Sequence, residues 1–165
     1  MNKCKMCSKE VDRLVKFLNL DTGLIAVGCS DCRRVYITKG CGLVYLSNDW
    51  DGIVEVLDMY CKHQVGLSRG DWCAANRWTR DVTINIRELY EEALLLRLHV
   101  VSVLFATLLH ELGHFLCPKS TYTSGLTIFA KEEEAWKAGE EAYSGEYPDG
   151  YDLVKASCLL TYSGC

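Results

Sequence analysis

The sequence predicts an α+β protein: a small cysteine-held unit over residues 1–42, then a mainly helical domain with a small antiparallel sheet over residues 43–165. Three observations predict it. Two C-x-x-C pairs, Cys4/Cys7 and Cys29/Cys32, bracket one short stretch near the N-terminus. A long apolar run leads into His110-Glu111-Leu112-Gly113-His114 and is stopped by Pro118. Charge divides along the same line: residues 1–42 hold eight Lys/Arg against four Asp/Glu, and residues 43–165 hold ten against eighteen.

At 165 residues the chain is one domain, or one plus a small appendage. Its 49% hydrophobic and 24% charged composition is that of a globular protein. A net charge of −4 gives no overall pull toward nucleic acid. The locally basic first unit leaves a protein or nucleic-acid partner open for that unit alone.

The N-terminal unit reads as knuckle, hairpin, knuckle. LVKFLNL and LIAV flank Asp21-Thr22-Gly23, a turn signal between two short strands. Cys4, Cys7, Cys29 and Cys32 then have the spacing of a closed, tetrahedral, structural zinc site, and the unit resembles a zinc ribbon. A redox pair or plain core cysteines are the alternatives. So small a unit cannot bury enough apolar surface alone, and the metal would supply its folding energy. Met1 is followed by polar, cysteine-containing sequence rather than an apolar leader, so a cytoplasmic, reducing compartment is expected. Cys41, Cys61, Cys73, Cys117, Cys158 and Cys165 read as buried thiols, with Cys41 a substitute ligand at most.

RRVYITKGCGLVYL, residues 33–46, reads as two short strands around a glycine turn. Ile53, Val56, Leu57 and Tyr60 then repeat at helical spacing, with Ser47, Asn48 or Asp49 available as caps and Gly66 as the stop. His63 is expected at the surface, at the helix end that favours a cation. Residues 67–80 have no period and read as a loop, with Trp72 and Trp78 anchored on the core. VTINI, residues 82–86, alternates as a half-buried strand. One long helix is expected from Arg87 to Cys117, buried on most sides, with His99 a satisfied bystander three turns before His110. Its uncharged part, Val100–Leu109, is half the roughly 20 residues of a membrane span, so no membrane is expected. Residues 119–129 read as a loop with one short strand. AKEEEAWKAGEEAY and YDLVKASCLLTYSGC close the chain as helices.

On a helix, positions i and i+4 share a face, so His110 and His114 can grip one metal. Glu111 is rotated about 100° from them and can hold a metal-bound water. Fewer than about one shuffled chain in a hundred would carry this string. A reactive zinc needs a third protein ligand and a free fourth position. Glu132, Glu133 and Glu134 lie on the next helix, and a helix hairpin can bring any of them back.

HExxH with a downstream glutamate resembles the gluzincin metallopeptidases, and most closely their compact intracellular IrrE/ImmA-type members. There the third ligand opens an E-x-x-A motif, here Glu132-Glu133-Glu134-Ala135. The resemblance covers residues 80–143. It implies a mainly helical minigluzincin-like domain with His110, His114 and Glu132 as zinc ligands. It also implies Glu111 as general base toward a metal-activated water, in a zinc-dependent peptidase acting on protein or peptide. Trp136 stands where many relatives have Asp or Asn, so support for the ligand histidines must come from elsewhere. Tyr122, Tyr143, Tyr147 and Tyr151 are oxyanion donors by type only, and VTINI is the expected substrate-pairing edge strand. Two zinc ions per chain are expected, one catalytic and one structural. The alternative is a non-catalytic zinc-binding module that serves regulation or binds protein or nucleic acid.

Overall fold

The computed structural model describes residues 1–4, 7–19, 24–29, 31, 43–46 and 52–164. Cys32, Cys41, Cys165, the turn at 21–23 and the caps at 47–49 lie outside the described residues. The architecture is mixed α+β. Strands β1 (Asn2–Lys3) and β2 (Glu10–Val11) pair around the first knuckle. Strands β3 (Val15–Asn19) and β4 (Leu24–Gly28) form the expected antiparallel pair, with Phe17 opposite Ala26. Strand β5 (Leu43–Leu46) returns to the other side of β3, so the sheet runs β4-β3-β5.

Helix α1 (Gly52–Lys62) buries the four side chains that its period singled out, Ile53, Val56, Leu57 and Tyr60. It ends before Gly66, at Gln64, which takes the left-handed conformation with φ 55°. Residues 67–80 are not a loop throughout. Strands β6 (Gly66–Arg69) and β7 (Ala74–Asn76) flank β8 (Asp81–Ile84) in the order β6-β8-β7. The sheet is mixed rather than antiparallel, because β6 runs parallel to β8 and only β7 opposes it. Two- and one-sided burial explains the misreading: Val82 and Ile84 are fully buried and gave β8 its period, while β6 and β7 are short and half-exposed. VTINI is therefore the central strand, and β7 is an edge. Trp72 and Trp78 are 68% and 97% exposed, contrary to expectation, in the loops on either side of β7.

The expected long helix is two. Helix α2 (Ile86–Leu96) starts on Asn85, whose side chain accepts from the N–H groups of Arg87 and Glu88. It stops where Arg97 turns left-handed and the Leu98 N–H closes back on the Ala93 carbonyl at 2.9 Å. Helix α3 (Val100–Leu116) begins two residues later, bent 119° from α2. His99 is its N-cap: Nδ1 accepts from the Val101 N–H at 3.2 Å, so His99 and His110 do not share an unbroken helix. Neither Gly nor Pro marks this break, which is why periodicity ran through it. No single helix is long and apolar enough to cross a membrane.

Helix α3 is the centre of the fold. It is buried on nearly every side, against α1, α2 and β7. Each Leu or Phe it buries contributes about 1.5–3 kcal/mol. Residues 120–123 form a single turn, α4 (Ser120–Thr123), rather than a strand. Helix α5 (Ile128–Ala142), capped by the Thr127 hydroxyl on the Ala130 N–H, lies against α3, and α6 (Tyr151–Tyr162) packs on both.

Two glycines set the α3–α5 distance. A Cβ on Gly113 would overlap the Ala135 carbonyl oxygen, and one on Gly139 would sit 2.6 Å from the Leu109 carbonyl oxygen. Backbone meets backbone there.

Candidate metal centre

Helix α3 presents His110 and Glu111 almost fully buried, at 5% and 6% exposure, and His114 one turn on. Because α5 begins at Ile128, the glutamate run falls in its second turn, not at its N-terminus. Of the three, Glu132 faces α3, while Glu133 points to solvent. Glu132 Oε2 lies 2.9 Å from His110 Nε2 and 3.5 Å from His114 Nε2, and the two imidazole nitrogens are 3.3 Å apart. A tetrahedral ion with bonds of about 2.0–2.1 Å needs donors about 3.3–3.4 Å apart. The three atoms therefore fit one zinc-sized cation. Burial pushes the Glu132 carboxyl up, but the two histidines outweigh it and hold it down at about 2.

His114 is oriented by Tyr122, whose Oη lies 2.7 Å from Nδ1 and 3.3 Å from the His114 carbonyl oxygen. The network assigns Nδ1–H as donor to Oη, with the phenol proton passing to the carbonyl. That leaves Nε2, which faces Glu132 at 3.5 Å, as the nitrogen a metal would take. The Arg77 guanidinium lies 3.8 Å over the Tyr122 ring and fixes it. For His110 the support is a stack: the Trp136 ring lies 4.4 Å away at 22°, and Nδ1 meets no hydrogen-bond partner among the described residues.

Glu111 lies beside this trio. Its carboxyl is pushed up by burial and by Glu132; His110, His114 and the Ala75 main chain act the other way. Edge strand β7 therefore lies beside Glu111. Two cavities, of about 470 and 280 Å³, meet at His110 and Glu111, and Cys73 and Tyr162 line both. The smaller one is walled by Ala74 and Ala75 of β7 and by Tyr122.

Of the hydroxyl candidates, only Tyr122 is at the site. Tyr143, Tyr147 and Tyr151 cluster on Phe105 and donate to the Glu146 carbonyl, the Glu140 carbonyl and the Glu140 carboxylate. Sequence reasoning missed Cys158 and Tyr162. The Cys158 thiol groups with His110 and Glu132, their ligand atoms all within 4.8 Å of one another. It was read as a plain core thiol, as was Cys61, which is exposed. The signal was present, because Cys158 and Tyr162 are four apart on α6 and share a face.

At the N-terminus, Cys4, Cys7 and Cys29 bring their sulfurs within 4.8 Å of one another. Cys7 Sγ and Cys29 Sγ are 3.7 Å apart, against about 3.8 Å between thiolates on one zinc. The Cys29 N–H donates to Cys4 Sγ at 3.2 Å, and the Ser8 N–H closes the first knuckle on the Cys4 carbonyl at 2.9 Å.

Comparison with protein-family models, with curated proteins and with solved structures finds no match to this chain.

Proposed function

We propose that the chain is a zinc-dependent peptidase. The observation that carries the reading is the convergence of His110 Nε2, His114 Nε2 and Glu132 Oε2 beside a buried carboxyl that takes no part in it, Glu111, at the meeting of two cavities. His110, His114 and Glu132 would hold the metal. Bound there, zinc supplies a Lewis acid that acidifies water and polarises a carbonyl.

The rest is the work of the chain's own residues. Glu111, held up in pKa by burial, is poised to accept a proton and return it to the leaving nitrogen. Strand β7 offers an extended peptide its free edge alongside Glu111. Tyr162 lines both cavities and brings a hydroxyl-bearing side chain to the site. Cys4, Cys7 and Cys29, with Cys32, would hold a second, structural zinc in a ribbon-like unit. The described cysteines are all free thiols, in keeping with a reducing, cytoplasmic setting.

The test is Glu111→Gln on a casein or fluorogenic-peptide substrate. The substitution keeps shape and zinc but removes the base, and hydrolysis should fall roughly 10²–10⁴-fold. Equal zinc-dependent hydrolysis by both proteins removes Glu111 from the reaction. Absence of hydrolysis from either, with zinc retained, turns the reading to a non-catalytic zinc module.

A further inference from the structure

We propose that Cys158 is a built-in fourth ligand for the metal position, so that the chain's own thiol closes the site. The proposal rests on the metal-site reading above. Its basis is geometric. Cys158 Sγ lies within 4.8 Å of a ring nitrogen of His110 and a carboxylate oxygen of Glu132. On a shared zinc, with Zn–S about 2.3 Å and Zn–N or Zn–O about 2.0–2.1 Å, those separations would be about 3.5–3.6 Å, inside that 4.8 Å limit. Three protein ligands leave the fourth position free for chemistry, whereas four close it.

The buried Trp136 indole is stacked on His110, its N–H meets no hydrogen-bond partner among the described residues, and it lies beside the Cys158 thiol. The thiol is only half-buried and borders the cavity of about 470 Å³, so it has room to leave. Its helix is held at the other end: Tyr151 and Val154 are buried, while Leu160 is 71% exposed. Beyond them, Cys158 and Leu159 pack on the core and Ser157 Oγ donates to Glu92 Oε1 at 2.6 Å, so α6 holds the thiol at the site. The chemistry is ligand exchange alone. The thiol proton passes to solvent as the sulfur–metal bond forms, and no electron is transferred.

The test alkylates the full-length protein with iodoacetamide, zinc-loaded or chelator-stripped, and reads each cysteine by peptide mass spectrometry. Cys73, on the same cavity, is the internal reference. Zinc should slow modification of Cys158 about tenfold or more and leave Cys73 unchanged, because a coordinated thiolate is not free to react. Glu132→Gln should abolish the protection. Cys158→Ser should weaken zinc binding at the histidine site about 10–100-fold and raise peptide hydrolysis. Equal alkylation of Cys158 with and without zinc overturns the proposal, and needs no substitution to observe. The two readings fail separately. Hydrolysis by wild type with zinc-independent alkylation keeps the peptidase and removes the ligand. Zinc protection of Cys158 with no hydrolysis from wild type or Cys158→Ser keeps the ligand and removes the peptidase.

Discussion

Gly113→Ala tests how the fold builds the site. A Cβ at Gly113 would occupy the place of the Ala135 carbonyl oxygen on α5, one turn after Glu132. At Gly139 the same substitution would fall about 0.8 Å short of an ordinary 3.4 Å contact, and the overlap at Gly113 is more severe. Both partners are backbone, so no rotamer relieves the clash and α5 must retreat. Overpacking of this kind costs about 1–3 kcal/mol, while Ala in place of Gly returns about 1 kcal/mol of helix propensity. The net loss should be up to about 2 kcal/mol, or up to roughly 8 °C in melting temperature for a chain of this size. The metal centre should suffer more. Metal–ligand distances tolerate about 0.2 Å, and α5 must retreat several times that, carrying the Glu132 carboxylate away from its 2.9 Å approach to His110. Thermal melting by circular dichroism, with zinc content after equilibrium dialysis, reads both effects. A variant that melts with wild type and keeps its zinc would refute the tight α3–α5 contact as the device that assembles the site.

Three further outcomes follow from named contacts. Glu132→Gln should empty the histidine site, whereas Glu133→Gln should not, since Glu133 faces solvent; equal occupancy in a zinc assay would reassign the ligand. Tyr122→Phe removes the partner of His114 Nδ1 and should weaken zinc binding about 10–100-fold, measured by chelator competition. Cys29→Ser should release the N-terminal metal and expose that unit to protease while the histidine site keeps its ion; unchanged proteolysis would count against a metal-held knuckle.

Much of this was legible because chemistry-bearing residues sit at fixed helical or strand offsets. His110 and His114 are an i, i+4 pair whatever surrounds them, and the β3–β4 pair follows from its alternation and turn. Choosing Glu132 from three adjacent glutamates required the rotation of α5, which depends on its start at Thr127 rather than on the acidic run. The break at Arg97 was illegible because a non-glycine residue takes the left-handed cap and a histidine caps the next helix, both uncommon choices. Strands β6 and β7 are too short to show a period, and they owe their pairing to β8. Cys158 was hidden by its type: a cysteine on a helix reads as a small apolar side chain until the packing of α6 places it beside His110 and Glu132.

The central claim is that one metal lies between α3 and α5. Anomalous diffraction at the zinc absorption edge from crystals of the zinc-loaded full-length protein tests it most directly. The account predicts a peak within about 2.2 Å of His110 Nε2, His114 Nε2 and Glu132 Oε2, and a separate one at the N-terminal cysteines. Density at the cysteines alone, with none at the histidine pair of the zinc-loaded protein, would contradict it.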